Sequence, residues 1–91
     1  MAGETFAPAL IAARRAAGLS QARLGRMIGV TAGNISRLEA RDRFPSRQTV
    51  DAIAALDVFP WHVKIDLYQR AGYVPTPLWE SMVWQEPNPE R

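Results

Sequence analysis

Residues 19–39, LSQARLGRMIGVTAGNISRLE, constrain the fold of this chain more than any other segment. Ser20 can cap a first helix over roughly 20–28, and Gly29 can end that helix in a left-handed turn. Its apolar residues fall at the spacing of one helical face, at Leu24, Met27 and Ile28. Thr31 can then cap a second helix. The segment therefore predicts two short helices joined by a tight turn.

The second predicted helix has one narrow apolar stripe, formed by Ile35 and Leu38 with the preceding Val30. Its remaining residues are small or polar: Ala32, Gly33, Asn34, Ser36 and Arg37. Such a face lets a partner approach the backbone closely and offers it hydrogen bonds. These properties suit the major groove of DNA.

The spacing of several residues resembles the lambda-repressor-like (XRE) helix-turn-helix family over about residues 8–58. The matching positions are Leu19-Ser20-Gln21, Leu24, Ile28-Gly29-Val30, Ile35-Ser36, Leu38-Glu39 and Pro45-Ser46, with Arg14 in the first helix. The resemblance implies an all-α fold with a compact five-helix DNA-binding domain. Thr76-Pro77 further predicts the start of a short extra C-terminal helix. The resemblance also implies a sequence-specific, repressor-like transcriptional regulator that binds double-stranded DNA as a homodimer through helix 31–39.

The resemblance carries a set of expected site residues. The base-reading positions are Ala32, Gly33, Asn34 and Arg37, of which Arg37 is the strongest because arginine pairs bidentately with guanine. The expected phosphate contacts are Gln21, Thr31, Ser36, Arg41, Arg43 and Arg47. Arg14 and Glu39 are expected to form a structural ion pair. As alternatives, Arg14 could contact a phosphate, Gln21 could serve as a local cap, and the arginines at 41, 43 and 47 could be plain solvated charges.

Three positions depart from the family pattern. Arg41 stands where the family usually has a glycine in a left-handed turn, so either Arg41 is strained or the turn is rebuilt. Gly25 replaces the usual alanine at the crossing of the two helices, and Gly33 lies inside the proposed reading helix. Each glycine costs about 1 kcal/mol of helix propensity.

Charge is distributed unevenly along the chain, although the formal net charge is only +2. Residues 14–47 contain eight arginines and two acidic residues, a net charge of +6. The other residues contain three basic and seven acidic side chains, a net charge of −4. Arginine pairs bidentately with phosphate, so clustering around the helix pair favours a nucleic-acid partner. A genome that prefers arginine to lysine would explain the residue type but not the clustering.

The whole chain is predicted to divide into two parts. Residues 1–74 form the DNA-binding domain, with the motif core at 20–39, and residues 75–91 form an amphipathic extension. Further helices are predicted from about Thr5 to Gly18 with Pro8 in the first turn, after the cap Ser46, and from Pro60 to about Ala71. The extension contains a cluster of large apolar residues that includes Trp79, Met82, Val83 and Trp84. This cluster either packs on its own domain or contacts a dimer mate or protein partner.

Composition excludes several classes of function. The chain has no cysteine and no apolar run long enough to cross a membrane, so a cytoplasmic protein is expected. No cofactor is expected, and no metal site, because the single His62 has no evident co-ligands. The chain offers no activated nucleophile or acid/base pair, which argues against an enzyme. The alternative to a regulator is a protein-interaction module or antitoxin whose aromatic C-terminal segment binds a protein partner.

Overall fold

The computed structural model describes residues 2–73, with side chains from Thr5 onward, and this part of the chain contains five α-helices and no strand. The helices are α1 (Ala2–Ala16), α2 (Gln21–Ile28), α3 (Ala32–Glu39), α4 (Arg47–Ala54) and α5 (Trp61–Ala71). The predicted all-α fold is confirmed. The predicted extra C-terminal helix and its residues Trp79, Met82, Val83 and Trp84 lie outside the described residues.

Local capping explains where the short helices begin. The hydroxyl of Ser20 accepts a hydrogen bond from the Arg23 amide at 2.9 Å. Thr31 accepts from the Asn34 amide at 3.2 Å, and Ser46 begins α4 in the same way. Each hydroxyl satisfies an amide that the first helical turn leaves without a partner. All three predicted caps are confirmed.

The start of α1 was predicted wrongly. The helix begins at Ala2 rather than near Thr5, so Pro8 lies in its interior and not in its first turn. Proline removes one hydrogen bond from the helix ladder but fixes φ at a helical value, so one further turn can precede it. The helix ends before Gly18, whose φ of 72° is in the left-handed region.

The hydrophobic core joins α2 and α3 to the other three helices. α1 packs against α5, and α2 packs against α3. The large side chains that are less than 2% exposed come from all five helices: Tyr68, Phe6, Leu10, Leu24, Ile35, Ile53, Leu67 and Val50. Ile35 fixes α3 to this core, and Leu38 is also buried. Burial of one stripe of α3 leaves its opposite face exposed.

The turn between α2 and α3 depends on Gly25. A Cβ atom at this position would lie 2.7 Å from the carbonyl oxygen of Val30 and 3.0 Å from that of Thr31. The Gly25 carbonyl in turn accepts a hydrogen bond from the Val30 amide at 2.8 Å. The two helices cross too closely here for any side chain.

The described residues do not form a membrane span or a metal site. Between residues 2 and 73, no helix has the length and apolarity needed to cross a membrane. In the same part of the chain, no three His, Asp or Glu side chains lie close enough together to hold a metal ion.

Candidate nucleic-acid interface

A buried ion pair fixes the end of α3 to the first two helices. Arg14 Nε on α1 donates to Glu39 Oε2 at 2.6 Å and Nη2 donates to Oε1 at 3.0 Å. Gln21 Nε2, at the start of α2, donates to the same Oε1 at 2.9 Å. The third donor of Arg14, Nη1, reaches the Leu19 carbonyl at 2.8 Å. One carboxylate therefore joins three helices.

Pairing with Glu39 favours the charged form of Arg14. The side chains of Arg14 and Glu39 are only 11% and 6% exposed. The hydrogen bond to Glu39 raises the pKa of Arg14 above its ordinary value, against the opposing effect of burial. The structure thus brings together the two residues of the expected ion pair. It also uses the amide of Gln21 as a brace. The second proton of Gln21 Nε2 remains for another acceptor.

The outward face of α3 consists of Gly33, Ser36 and Arg37, all of them exposed. Ile35 and Leu38 point into the core, roughly opposite this face at about 100° per residue. Ala32 and Asn34 are half-buried at its two margins. The predicted base-reading residues therefore divide into an exposed central set and two flanking positions.

Asn34 is engaged by the loop that follows α3. Its Oδ1 accepts a hydrogen bond from Arg43 Nη1 at 2.9 Å. The exposed Arg43 thereby returns toward α3 and does not extend alone into solvent. Sequence reasoning did not pair these two residues, because no rule of spacing links a helix position to a loop residue nine positions later.

The α3–α4 loop contains a strained residue near its start. Arg41 has a φ of 67°, and it is the one non-glycine residue with positive φ among the described residues. Its amide donates to the Leu38 carbonyl at 3.3 Å, and the Asp42 amide donates to the Arg37 carbonyl at 2.9 Å. The left-handed turn is thus kept with an arginine in place of glycine, and the Arg41 side chain is exposed.

Arg47, the first residue of α4, is half-buried against an aromatic ring. Its guanidinium carbon lies 5.8 Å from the centroid of Tyr73, a cation–π distance. Tyr73 donates its hydroxyl proton to the Pro45 carbonyl at 2.9 Å and meets the exposed Phe44 edge to face at 6.1 Å. Sequence reasoning missed Phe44 and Tyr73, since neither residue belongs to the motif.

The remaining candidates also lie near α3. Thr31 is exposed, but its hydroxyl already accepts the capping hydrogen bond from Asn34. Its hydroxyl proton is available to an acceptor such as phosphate. Around α3 the chain therefore presents exposed arginines, hydroxyls and amide protons, a set of donors suited to an anionic, acceptor-rich surface.

The chain matches a known protein family. The family model described as a helix-turn-helix domain matches residues 6–56, more than half of the chain. The matched stretch runs from α1 through α4 and includes the α2–α3 pair. Comparisons with curated proteins and with solved structures gave no match.

Proposed function

Since this chain belongs to the helix-turn-helix domain family, we propose that it is a sequence-specific, repressor-like transcriptional regulator that binds double-stranded DNA. The exposed face of α3 supports the proposal most directly. Gly33, Ser36 and Arg37 are exposed there while the other side of the helix is locked into the core. A short helix presented in this way fits the major groove. The protein would act in the cytoplasm.

Arg37 is the proposed base reader. It is exposed in the last turn of α3, and arginine can donate two hydrogen bonds to O6 and N7 of guanine. Gly33 lets the duplex approach the backbone, and Ala32 can contact only a thymine methyl group. Direct readout is therefore sparse, and DNA shape would supply part of the specificity.

The phosphate contacts would surround this face. Arg41 and Arg43 are exposed in the loop after α3, and Thr31 and Ser36 offer hydroxyl groups. Gln21 and Arg47 have partners within the protein, and the Gln21 amide has a second proton for a phosphate oxygen. Contacts of this kind set the orientation of the protein and carry no sequence information of their own.

We further propose that the protein binds as a homodimer. Regulators with this motif bind two half-sites about 34 Å apart, one turn of the duplex, with two-fold symmetry. The extension 75–91, with Trp79, Met82, Val83 and Trp84, is proposed as the dimer contact. A two-fold dimer predicts a stoichiometry of two chains per palindromic duplex.

Fluorescence anisotropy of a labelled duplex pool, measured across a salt series, tests the proposal. The wild type should bind with affinity that falls steeply with salt, by about 0.9 in the log–log slope for each neutralised phosphate. Arg37→Ala should lose preference for the selected sequence while it retains much of the nonspecific binding. Arg70→Ala, on α5 and paired with Asp66, is the matched control. If the wild type does not bind the duplex pool even at low salt, the proposal is contradicted.

A second candidate is a protein-interaction module or antitoxin. It is favoured by exposed apolar side chains near the start of α5, where Val58 is 43% and Trp61 is 64% exposed. Large apolar residues at the surface are common in protein interfaces. This candidate predicts little DNA binding, and it becomes the better account if the anisotropy series shows none.

A further inference from the structure

The contact between Asn34 and Arg43 fixes which way the Asn34 amide faces. A guanidinium group has five donor protons and no acceptor, so only the amide oxygen can face it. The distance of 2.9 Å between Arg43 Nη1 and Asn34 Oδ1 agrees with that requirement. Nδ2 therefore points away from Arg43 and keeps both of its protons for other acceptors. Together the two side chains present donors and one positive charge.

The position of Asn34 on α3 places this pair beside the loop. At about 100° per residue, Asn34 lies some 40° from the buried Leu38 and some 100° from the exposed Gly33. Asn34 and Arg43 line a recess of about 200 Å³ between α3 and the start of α4, together with Phe44, Ser46 and Thr49. The pair thus occupies the margin of the DNA-facing surface and not its centre.

We infer that Asn34 and Arg43 form one phosphate-binding unit and that Asn34 does not read bases. The inference rests on the proposed function. Bidentate pairing with adenine requires a donor and an acceptor from the same amide, and Arg43 already occupies one lone pair of that acceptor and fixes the direction in which it faces. A phosphate oxygen is anionic and only accepts, so it matches a charged pair of donors. Guanine also presents acceptors, but Asn34 lies at the margin of the exposed face of α3, and this position favours a contact with the phosphate backbone of DNA.

The unit makes Arg43 a positioning residue for Asn34 as well as a phosphate contact. Without the guanidinium, the amide can rotate and loses its fixed direction. The contribution of Asn34 to DNA binding should therefore depend on Arg43. Ser36 and Arg37 are left as the residues of α3 with polar side chains on the exposed face, and Arg37 is the one of the two that can pair bidentately with guanine.

A double-mutant cycle in DNA binding tests the inference, with full-length protein and the same duplex pool and salt series. We expect Asn34→Ala to weaken binding about 3- to 10-fold on every duplex, without a change in base preference. Arg43→Met should weaken binding and reduce the salt slope by about 1. The double variant should bind almost as well as Arg43→Met alone, because Asn34 acts through its fixed orientation.

Two controls accompany the cycle. Gln69→Ala and Arg70→Met remove an exposed amide and a charge from α5, and both should leave affinity nearly unchanged. Thermal melting followed by circular dichroism checks that every variant is folded.

Two results would overturn the inference while the proposed function stands. In one, Asn34→Ala changes the preferred base at a single position, which would make Asn34 a base reader. In the other, the two substitutions have simply additive effects, which would make the residues independent. If the wild type shows no salt-dependent DNA binding, the proposed function itself fails, and the inference fails with it.

Discussion

Gly25 and Gly33 lie eight residues apart in the helix pair, yet their surroundings place opposite demands on a side chain. A Cβ at Gly25 would collide with backbone carbonyl oxygens, the nearest at 2.7 Å. A Cβ at Gly33 would meet only the Thr31 hydroxyl, at an ordinary contact distance of 3.7 Å. Packing thus requires glycine at the first position, whereas the folded chain alone gives no reason for it at the second.

Gly33→Ala should therefore stabilise the protein while it weakens DNA binding. Alanine has the higher helix propensity, so the free energy of unfolding should rise by about 0.5 to 1 kcal/mol. The added methyl group would meet the duplex where the glycine backbone approaches it. Urea denaturation and anisotropy measure the two effects separately. A gain in both stability and affinity would show that Gly33 does not lie close to DNA.

Gly25→Ala is the matched control for this substitution. It adds the same methyl group and the same helix propensity, but it forces the α2–α3 turn apart. We expect it to lower the free energy of unfolding by about 1 to 3 kcal/mol, as overpacking in a tight site does. Opposite signs for the two glycines would show that the space around each Cβ, and not propensity, decides the outcome.

At the scale of elements, the motif was predictable where its determinants are local. Ser20, Thr31 and Ser46 cap helices through amides three residues ahead, so the sequence itself contains both partners. The contacts of Asn34 with Arg43 and of Arg47 with Tyr73 depend on the path of the α3–α4 loop and on α5. No local pattern encodes such paths, so these parts of the candidate site could be found only in three dimensions.

Arg41 shows an intermediate case. Its position predicted either a strained residue or a rebuilt turn, and local sequence could not decide between them. The structure has the strained form, with a φ of 67°. A left-handed conformation costs a non-glycine residue about 1 to 2 kcal/mol. The turn is nevertheless kept, because the Arg37 and Leu38 carbonyls in the last turn of α3 accept hydrogen bonds from the loop.

The ion pair between α1 and α3 should behave as a buried pair does. Glu39→Gln leaves the charge of Arg14 buried with fewer acceptors, so we expect it to lower the free energy of unfolding by about 3 kcal/mol. Arg14→Met combined with Glu39→Gln should cost less than Glu39→Gln alone, because no charge is left uncompensated. Denaturant titrations of the single and double variants measure this. A double variant less stable than Glu39→Gln would contradict the prediction.

At the scale of the whole molecule, a buried hydroxyl couples α5 to α4 and through the core to every other helix. Tyr68 is fully buried, and its hydroxyl donates to the Asp51 carboxylate. Burial and then the hydrogen bond and charge of Asp51 raise the pKa of Tyr68 well above its ordinary value of 10. The fold therefore holds Tyr68 neutral at pH values where the unfolded chain would ionise it.

This raised pKa predicts a loss of stability in alkaline solution. Below pH 10, Tyr68 is protonated in both the folded and the unfolded states, so its contribution to stability is fully present. Above pH 10, the unfolded chain releases the proton and the folded chain retains it, so the free energy of unfolding falls as pH rises. At pH 11 the loss from this residue should reach about 1 kcal/mol.

Tyr68→Phe isolates the effect from other groups that titrate in the same range. The variant removes the hydroxyl, so it should be less stable than the wild type at pH 8, where the hydrogen bond to Asp51 is intact. Between pH 10 and pH 11 the wild type should lose stability faster than the variant, and the two should converge. Urea denaturation at each pH gives the difference directly. Parallel curves for the two proteins would mean that Tyr68 ionises as readily in the fold as outside it.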